Sequence, residues 1–474
     1  MTPEEFRRLG HELVDWIADT RSRVVAGEPP VMAQVTPGWL RSQLPAAPPE
    51  HGEPFHDIVR DTRALLPPAL SHFMHPSFFG YFPSNGELAS VLADLVATGL
   101  GQLGLNWASS PALTELEEVT TDWLRQMLGL SAAWHGVIQD TASTATLVAL
   151  ICAREHATGY AAVRQGIGGE PAPLTVYVSR YAHSSVDKAA LLAGFGKDFL
   201  RYIDVDDAFA LRPEALAAAI RADLAQGRKP ACIIATVGTT TTTAVDPVRA
   251  VADIAREHGV WLHVDAALAG SAMILPEHRH LWDGVEQADS LVINPHKWLG
   301  VAFDCSAYYV RDPEHLVRVM SSNPSYLQTA HDGEARNYRD WGVPLGRRFR
   351  AIKLWYVLRE RGVAGLQARL RRDIDNARWL AERVEQAPGW KLLAPVPLQT
   401  LCVRHEPAGA GLDREALDAH TLAWVARIND SGKAYLTPAR LEGRWMVRVS
   451  VGALSTERAH VEALWALMQD AVSA

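Results

Sequence analysis

The sequence has few cysteines and no excess of positive charge, and both shortages exclude classes of protein. Only four of the 474 residues are cysteine, and these stand far apart at Cys152, Cys232, Cys305 and Cys402. Their spacing indicates neither a disulfide framework nor a zinc site, and free thiols in a reducing cytoplasm are expected. The formal net charge is −8. We therefore expect a small-molecule or protein partner rather than a nucleic acid.

A long hydrophobic run is also missing. The apolar stretch at residues 88–100 is too short to span a membrane and is interrupted by a charged residue and a glycine. The N-terminus has the pattern of a helix start instead of a signal peptide. Thr2 supplies the capping hydroxyl, Pro3 takes the first helical position, and Glu5 follows three residues after the cap. We expect an amphipathic first helix and no association with a membrane.

Changes in composition divide the chain. Residues 28–54 are rich in proline and lack periodicity, which predicts an extended connector after a helical arm. A second breakpoint is expected near residues 371–376. We therefore predict an N-terminal helical arm with its connector at 1–85, a large α/β domain at 86–373, and a small C-terminal α+β domain at 374–474.

The central part of the chain alternates short apolar runs with helical segments. The predicted strands cover residues 174–179, 231–236, 260–264, 290–294 and 306–310. Nearly all-apolar strands are buried on both faces, and the order strand, helix, strand predicts a mostly parallel sheet. Because ligands bind at the carboxyl ends of such strands, Thr236, Asp265 and Asn294 are expected to lie near one crevice.

The polar residues at these strand ends suggest chemistry. Lys297 follows a buried strand in an apolar setting, where desolvation lowers the pKa of a lysine and favours a nucleophilic amine. Asp265 ends another hydrophobic strand, where a carboxylate needs a partner such as a protonated pyridine nitrogen. A surface lysine and a helix-capping aspartate are the ordinary alternatives for these two residues.

Two further signals are weaker when taken alone. Thr141, Ala142 and Ser143 open a predicted helix, and its first N–H groups and hydroxyls can cradle a phosphate. The same residues would also serve ordinary helix capping. His183 follows a strand and could stack on a cofactor ring, but a lone histidine in this position is more often structural.

Five segments resemble, in order, the group II pyridoxal-5′-phosphate (PLP)-dependent amino-acid decarboxylases, specifically the aromatic-L-amino-acid decarboxylase branch. They are HPSFFGYFP at 75–83, WASSPALTELE at 107–117, WLHVDAALAGS at 261–271, NPHKW at 294–298 and PLGRRFR at 344–350. The resemblance implies the aspartate-aminotransferase-like fold of fold-type I PLP enzymes. It also implies a homodimer with active sites at the interface, and decarboxylation of aromatic L-amino acids.

The resemblance assigns roles to individual residues. Lys297 would bind PLP covalently, Asp265 would pair with the pyridine nitrogen, and His183 would stack on the ring. The residues implied around the phosphate and the ring are Thr141, Ala142, Ser143, Thr236, Ala267, Asn294 and His296. The residues implied in the substrate pocket are Tyr81, Phe82, Pro83 and Gly346, with Leu103 and Leu105 reaching it from the other subunit.

One loop bears on the outcome of the reaction. Residues 323–340 are polar and without period, which predicts a long loop of the kind that closes over active sites. In the family that this chain resembles, a tyrosine at the position of Tyr326 protonates the substrate Cα after CO₂ leaves. Aldehyde-forming relatives often have phenylalanine there, or asparagine in place of His183. Both residues thus favour simple decarboxylation, although Tyr326 could also be a surface aromatic.

Some positions depart from the animal members of the family. Asp140 and Thr144 replace a common glycine and glutamate beside the phosphate cradle, and Leu105 replaces a phenylalanine in the pocket wall. Gly346 matches the aromatic branch, whereas histidine-specific relatives often carry serine. The sequence does not choose among the aromatic substrates. An aldehyde synthase, a transaminase, a decarboxylase of a non-aromatic amino acid and a non-catalytic PLP-binding scaffold remain alternatives.

Overall fold

A computed structural model of the chain describes residues 1–322, 329–331, 333–407 and 411–473. The chain divides into two compact units. The small unit comprises residues 1–83, 376–393 and 402–474, and the large unit comprises residues 84–375 and 394–401.

Helices occur throughout both units. In chain order they are α1 (Pro3–Val25), α2 (Trp39–Gln43), α3 (Phe55–Leu65), α4 (Leu88–Gly99), α5 (Pro111–Leu128), α6 (Ala142–Thr158), α7 (Ala162–Gln165), α8 (Ser185–Leu192), α9 (Pro213–Ala225), α10 (Val248–His258), α11 (Pro313–Met320), α12 (Ala351–Gln386), α13 (Arg414–Asp430) and α14 (Arg458–Ser473). Among the described residues, no helix combines the length and the apolar character that a membrane span requires.

The first helix forms as its capping sequence predicts. The Glu5 N–H donates to the Thr2 hydroxyl over 3.2 Å, and the Thr2 N–H donates to the Glu5 carboxylate over 2.7 Å. These reciprocal bonds satisfy two N–H groups that the helix itself cannot pair. On the apolar face, Leu9 is buried, whereas Phe6 is 59% exposed and Ile17 is 38% exposed. Part of this face is therefore left uncovered in the single chain.

The large unit is built on a seven-stranded sheet. Its strands are β1 (His135–Gln139), β2 (Leu174–Ser179), β3 (Leu200–Ile203), β4 (Lys229–Thr236), β5 (Trp261–Asp265), β6 (Ser290–Ile293) and β7 (Ser306–Val310). The spatial order is β1-β7-β6-β5-β4-β2-β3. Strand β7 is antiparallel to both of its neighbours, and the remaining pairs are parallel. The predicted mostly parallel sheet is confirmed, with small shifts at the strand ends.

Burial explains why these sequences form central strands. Every residue of β2, β5, β6 and β7 is buried. Helices α6, α8 and α10 supply small apolar residues against the sheet, so both faces of the strands are removed from water. Polar side chains can lie together at the carboxyl ends of the parallel strands, which form one edge of the sheet.

A second, smaller sheet has four strands. These are β8 (Trp390–Leu392), β9 (Thr400–His405), β10 (Thr437–Leu441) and β11 (Arg444–Ser450), in the order β10-β11-β9-β8. The pairs β10–β11 and β8–β9 are antiparallel. All four strands lie within residues 374–474, the segment for which the sequence predicts α+β structure.

Helix α12 connects the two units along the chain. It is interrupted at Gly362, whose φ of +62° and ψ of 170° lie outside the helical region. Residues 371–376, where the sequence suggested a breakpoint, lie within this helix. The division between the units falls there, between Asp375 and Asn376.

Candidate active site

The carboxyl ends of β4, β5 and β6 bring three predicted site residues to one edge. Thr236 and Asp265 end their strands and are partners in the sheet register. Asn294 directly follows β6, and its N–H donates to the Ala267 carbonyl over 3.0 Å. The positions of these residues are therefore set by the hydrogen-bond ladder of the sheet.

Asp265 is a carboxylate in an apolar setting. It is 5% exposed, and its Oδ1 accepts the Ala267 N–H over 3.1 Å. His263, two residues earlier on β5, is fully buried, and burial lowers its pKa to about 4 although the Asp265 charge opposes the shift. A neutral His263 leaves the negative charge of Asp265 suited to a cationic group at the sheet edge.

Lys297 lies in the turn that follows β6. Its N–H donates to the Asn294 carbonyl over 2.9 Å, and its own carbonyl accepts from Asn85 Nδ2 over 3.3 Å. Asn294 is fixed in turn, because its Oδ1 accepts the Ser306 hydroxyl over 2.6 Å. The backbone on both sides of the lysine is thus anchored, while its side chain is only half-buried.

His183 lies within electrostatic range of both charged residues. Partial desolvation lowers its pKa, Asp265 opposes this shift, and Lys297 adds to it. The His183 Nδ1 accepts the Ser185 N–H over 3.1 Å. A backbone N–H can only donate, so the neutral ring carries its proton on Nε2. The three residues expected to act on the reacting part of a cofactor are therefore close together.

The start of α6 follows β1 in the large unit. Thr141 occupies the capping position, Thr141 and Ala142 are half-buried, and Ser143 is exposed. Asp140 Oδ1 accepts the Thr141 N–H over 2.6 Å. One acidic oxygen is thus engaged by the chain itself, which reduces the repulsion that Asp140 would exert on a nearby phosphate.

His296 is held in one protonation state. It is 5% exposed, and its Nδ1 accepts the Cys305 N–H over 3.0 Å. Burial, together with the neighbouring charge of Lys297, lowers the pKa of His296 to about 4. The ring is neutral at pH 7 with its proton on Nε2, so it presents a hydrogen-bond donor.

The polar groups at this edge fit PLP. The Thr236 hydroxyl oxygen is buried and has no hydrogen-bond partner among the described residues, a costly arrangement that an oxygen on a bound ring would relieve. Asp265 suits a pyridinium nitrogen, and Lys297 supplies an amine for an aldehyde. The neutral His296 and the first turn of α6 offer donors to a phosphate.

Sequence reasoning missed a residue that supports this edge. Asp246 is fully buried, and its two carboxylate oxygens accept the N–H groups of Thr236 and Leu211, each over 2.8 Å. Its own N–H donates to the Thr236 carbonyl over 3.0 Å. Burial raises the pKa of Asp246 to about 7. In the sequence it resembles an ordinary loop acid before a proline, and no periodic signal distinguishes it.

Three predicted pocket residues form one apolar wall in the large unit. A Cβ placed on Gly346 would lie 3.3 Å from Leu103 Cδ1 and 4.0 Å from Leu105 Cδ2. Gly104 and Arg347 exchange two backbone hydrogen bonds, of 2.8 and 2.9 Å, which hold the two segments together. We call Leu103, Leu105 and Gly346 the wall group.

The buried Arg347 anchors this wall to β1. Its guanidinium contacts Glu117 over 2.6 Å and donates to the Ile138 carbonyl over 2.6 Å. Glu117 accepts the Ile138 N–H over 2.7 Å. The two charged residues therefore hold both backbone groups of one β1 residue, a role that the sequence did not reveal.

The remaining pocket candidates belong to the small unit. The Tyr81 N–H donates to the Thr437 hydroxyl over 2.7 Å, and the Tyr81 hydroxyl accepts from Tyr435 over 3.0 Å. Tyr81 is 47% exposed with a φ of +48°, Phe82 is half-buried, and Pro83 is buried. Tyr326, the predicted proton donor, lies outside the described residues.

Comparison with known proteins adds to this geometry. A family model described as the pyridoxal-dependent decarboxylase conserved domain matches residues 37–406. Tryptophan decarboxylase TDC2 of Camptotheca acuminata is 40% identical, with 100% of this chain and 96% of the relative covered. Phenylacetaldehyde synthase of Arabidopsis thaliana is 39% identical, with 100% and 97% covered.

A solved structure is similarly close. The crystal structure of Oryza sativa TDC with PLP and tryptamine superposes with a TM-score of 0.96 at 37% identity, covering 100% of this chain and 98% of that chain. The predicted fold-type I architecture is confirmed by this similarity.

Proposed function

The chain belongs to the pyridoxal-dependent decarboxylase family, and we propose that it converts aromatic L-amino acids into the corresponding amines and CO₂. The observation that carries this proposal is the grouping of Lys297, Asp265 and His183 at the sheet edge of a chain with full-length similarity to tryptophan decarboxylase. When bound, PLP supplies an aldehyde for the substrate amine and a conjugated ring that accepts the electrons released with CO₂.

Within this proposal, each residue of the sheet edge has a part. Lys297 would hold the cofactor covalently through its amine. Asp265 would pair with the pyridine nitrogen, and His183 would stack on the ring. The residues that hold the phosphate and border the ring are Thr141, Ala142, Ser143, Thr236, Ala267, Asn294 and His296.

The reaction replaces the carboxylate group on the substrate Cα by a hydrogen. The bond between Cα and the carboxylate breaks, CO₂ leaves, and a proton takes its place. We propose that Tyr326 delivers this proton to Cα, and Lys297 would hold the cofactor once the amine has departed. A protein group that delivers the proton directly limits side reactions with water and oxygen at the same carbon.

We further propose that the substrate ring contacts Tyr81, Phe82 and Pro83 of one copy of the chain and the wall group of a second copy, because Gly346 packs against Leu103 and Leu105 within one chain. The homodimer that this requires is supported by uncovered apolar side chains. On α4, Leu88, Leu92 and Leu95 follow helical spacing along one face and are 48–51% exposed. Analytical ultracentrifugation of the wild type and of Leu92→Glu tests the dimer, which the charged variant should weaken.

The cellular location and the domain boundaries also remain proposals. The four cysteines are free and buried, which supports a reducing compartment and hence a cytoplasmic location. Fractionation of the cells that produce the protein tests this. We keep the division into 1–85, 86–373 and 374–474 as a proposal, and limited proteolysis should cut near those boundaries if the segments are separable domains.

The decisive experiment measures all four products. Purified protein with PLP is incubated with phenylalanine, tyrosine, tryptophan, 5-hydroxytryptophan and DOPA, with histidine and glutamate as controls, and CO₂, amine, aldehyde and peroxide are quantified. We expect equal amounts of amine and CO₂ from at least one aromatic substrate, and neither from Lys297→Ala. Turnover of glutamate or histidine alone would contradict the aromatic preference.

A second candidate function is the oxidative formation of an aromatic aldehyde, because phenylacetaldehyde synthase is nearly as similar to this chain as tryptophan decarboxylase is. Aldehyde accompanied by equal peroxide would establish it. The comparison of wild type with Tyr326→Phe is informative: under the main proposal, the wild type makes amine and the variant diverts turnover to aldehyde.

A further inference from the structure

The residue after Lys297 is tied to a helix that sequence reasoning did not connect with the site. Trp298 is completely buried, and its indole Nε1 donates to Asp373 Oδ2 over 2.9 Å. Asp373 lies on α12, 75 positions further along the chain. Arg369, one helical turn earlier on α12, donates to the Trp298 carbonyl. The helix therefore holds Trp298 by its side chain and by its backbone.

A buried aspartate such as Asp373 is unusual at a contact that needs only packing. It is completely buried, and its other oxygen, Oδ1, accepts from Arg372 over 3.2 Å. Burial raises the pKa of this carboxyl to about 6, and the positive charges of Arg372 and Arg369 limit the shift. Two apolar side chains would fill the same space without the desolvation cost of a buried charge. What the carboxylate adds is a directional, charge-assisted hydrogen bond with one geometry.

The direction of the hydrogen bond from Trp298 to Asp373 matters because Lys297 directly precedes Trp298 in the chain. The Lys297 N–H is held by Asn294 and its carbonyl by Asn85, so the lysine occupies a short segment with fixed ends. Trp298 is the end of this segment nearest α12. A small rotation at Trp298 would move the Lys297 Cα, and a four-carbon side chain carries that displacement to the amine. Displacements of about 1 Å at a reacting group can cost roughly 10²-fold in rate.

We propose that Asp373 is a positioning residue that orients Lys297 through the Trp298 indole. The proposal rests on the proposed covalent role of Lys297 and adds a requirement to it. The side chain of Asp373 touches neither cofactor nor substrate in this scheme. Its effect is therefore on how fast and how completely the lysine amine joins the cofactor aldehyde, with formation of a C=N bond and loss of one water.

The test follows cofactor attachment directly, on the full-length protein. PLP is removed and then added back, and the visible absorbance of the attached cofactor is recorded against time. Borohydride then fixes the bond, and mass spectrometry of the Lys297 peptide gives the attached fraction. The variants are Asp373→Leu, Asp373→Asn, Trp298→Phe and the double variant Asp373→Leu with Trp298→Phe.

We expect Asp373→Leu and Trp298→Phe each to slow attachment roughly tenfold, the scale of one lost charge-assisted hydrogen bond. The double variant should be no slower than either single one, because both remove the same bond. Asp373→Asn keeps an oxygen that can accept from the indole, so it should recover part of the rate. KM for the substrate should change little in all four variants.

A matched control separates positioning from loss of stability. Trp424 in the small unit is also completely buried, but its Nε1 has no hydrogen-bond partner among the described residues. Trp424→Phe therefore removes a comparable ring volume without removing an indole hydrogen bond. The proposal is overturned if Asp373→Leu attaches PLP at the wild-type rate, or if Trp424→Phe slows attachment equally at a similar loss in melting temperature.

The wild type distinguishes this failure from failure of the proposed function. If wild-type protein attaches no cofactor at Lys297, the function proposed above is wrong. If wild-type protein attaches it and Asp373→Leu behaves identically, only the positioning role of Asp373 is wrong.

Discussion

The proposed cofactor residues and the wall group differ in how completely one chain builds them. Thr236, Asp265, Asn294 and His296 are each at most 5% exposed. Their backbone groups are fixed by the ends of adjacent strands. The segments of the wall group are joined by the two backbone hydrogen bonds between Gly104 and Arg347, and its member Leu103 is 55% exposed.

This difference indicates that the two groups of residues have different roles in the site. Charged and hydrogen-bonding groups need partners at fixed distances and low exposure, and a sheet edge inside one subunit supplies both. Apolar wall residues stabilise a complex only when they are covered, and in the single chain they still face water. We infer that cofactor chemistry depends on the first group and substrate preference on the second. Substitutions should therefore affect kcat in one group and KM in the other.

The strongest test of the cofactor side is Lys297→Ala. Removal of the amine that holds the cofactor should lower kcat about 10³-fold or more, the scale on which loss of a catalytic nucleophile is felt. Amine production under saturating substrate is the measurement. Lys188→Ala, at an exposed lysine on α8, serves as the control and should retain wild-type activity. Comparable turnover in the two variants would contradict the assignment of Lys297.

Asp265→Asn should have the next largest effect. The amide keeps the size of the side chain but loses the charge that holds a proton on a pyridine nitrogen, so kcat should fall about 10²- to 10³-fold. The absorbance of the bound cofactor should also change, which separates an electronic effect from loss of binding. Asp207→Asn, at an exposed loop position, is the control. A normal kcat in Asp265→Asn would show that another group carries the charge.

On the wall side, Gly346→Val should raise KM for bulky aromatic substrates about tenfold while changing kcat little. The added side chain meets Leu103 at a distance that is already tight for a single Cβ. Steady-state kinetics with tryptophan and phenylalanine measure the effect, and adding Leu103→Ala should restore part of it. Gly365→Val is the control, since a Cβ there meets only Arg361 Cβ, at 3.7 Å. A fall in kcat with constant KM would break the proposed division of roles.

The smallest expected effect is on how stability depends on pH, through Asp246, which accepts the Thr236 N–H. The pKa of Asp246 is raised from 3.8 to about 7 by burial. As pH rises through that window, the unfolded chain loses this proton before the folded chain does, so the folded state loses stability. Asp246→Asn does not titrate. The stability of the wild type relative to this variant should therefore decline between pH 4 and pH 7, by a few kcal/mol at most, as measured by urea unfolding. A difference independent of pH would contradict the raised pKa.

The sequence allowed much of the architecture and of the site edge to be predicted. Strands such as 174–179 and 306–310 have the predicted bounds, because uninterrupted apolar runs between turn residues have few alternatives in a buried sheet. Thr236 and Asp265 lie at strand ends as expected, since the carboxyl ends of parallel strands share one edge. The roles assigned to these residues remain predictions until the variants are measured.

Other features could not be predicted, for a physical reason that they share. Asp246 and Asp373 resemble ordinary surface acids in the sequence, and both are completely buried in the fold. Glu117 and Arg347 are 230 residues apart, yet they meet around one residue of β1. Burial and partnership of this kind depend on which distant segments pack together, and no local pattern of residues records them.

The sequence by itself determined the alternation of strands and helices and the types of residue placed at the strand ends, because hydrophobic periodicity and strand termination are local properties. The tertiary structure alone decided which carboxylates are buried, which ring nitrogens carry protons, and how Trp298 is tied to α12. Those features arise from desolvation and from hydrogen bonds between residues far apart in the chain, and they exist only once the segments have packed.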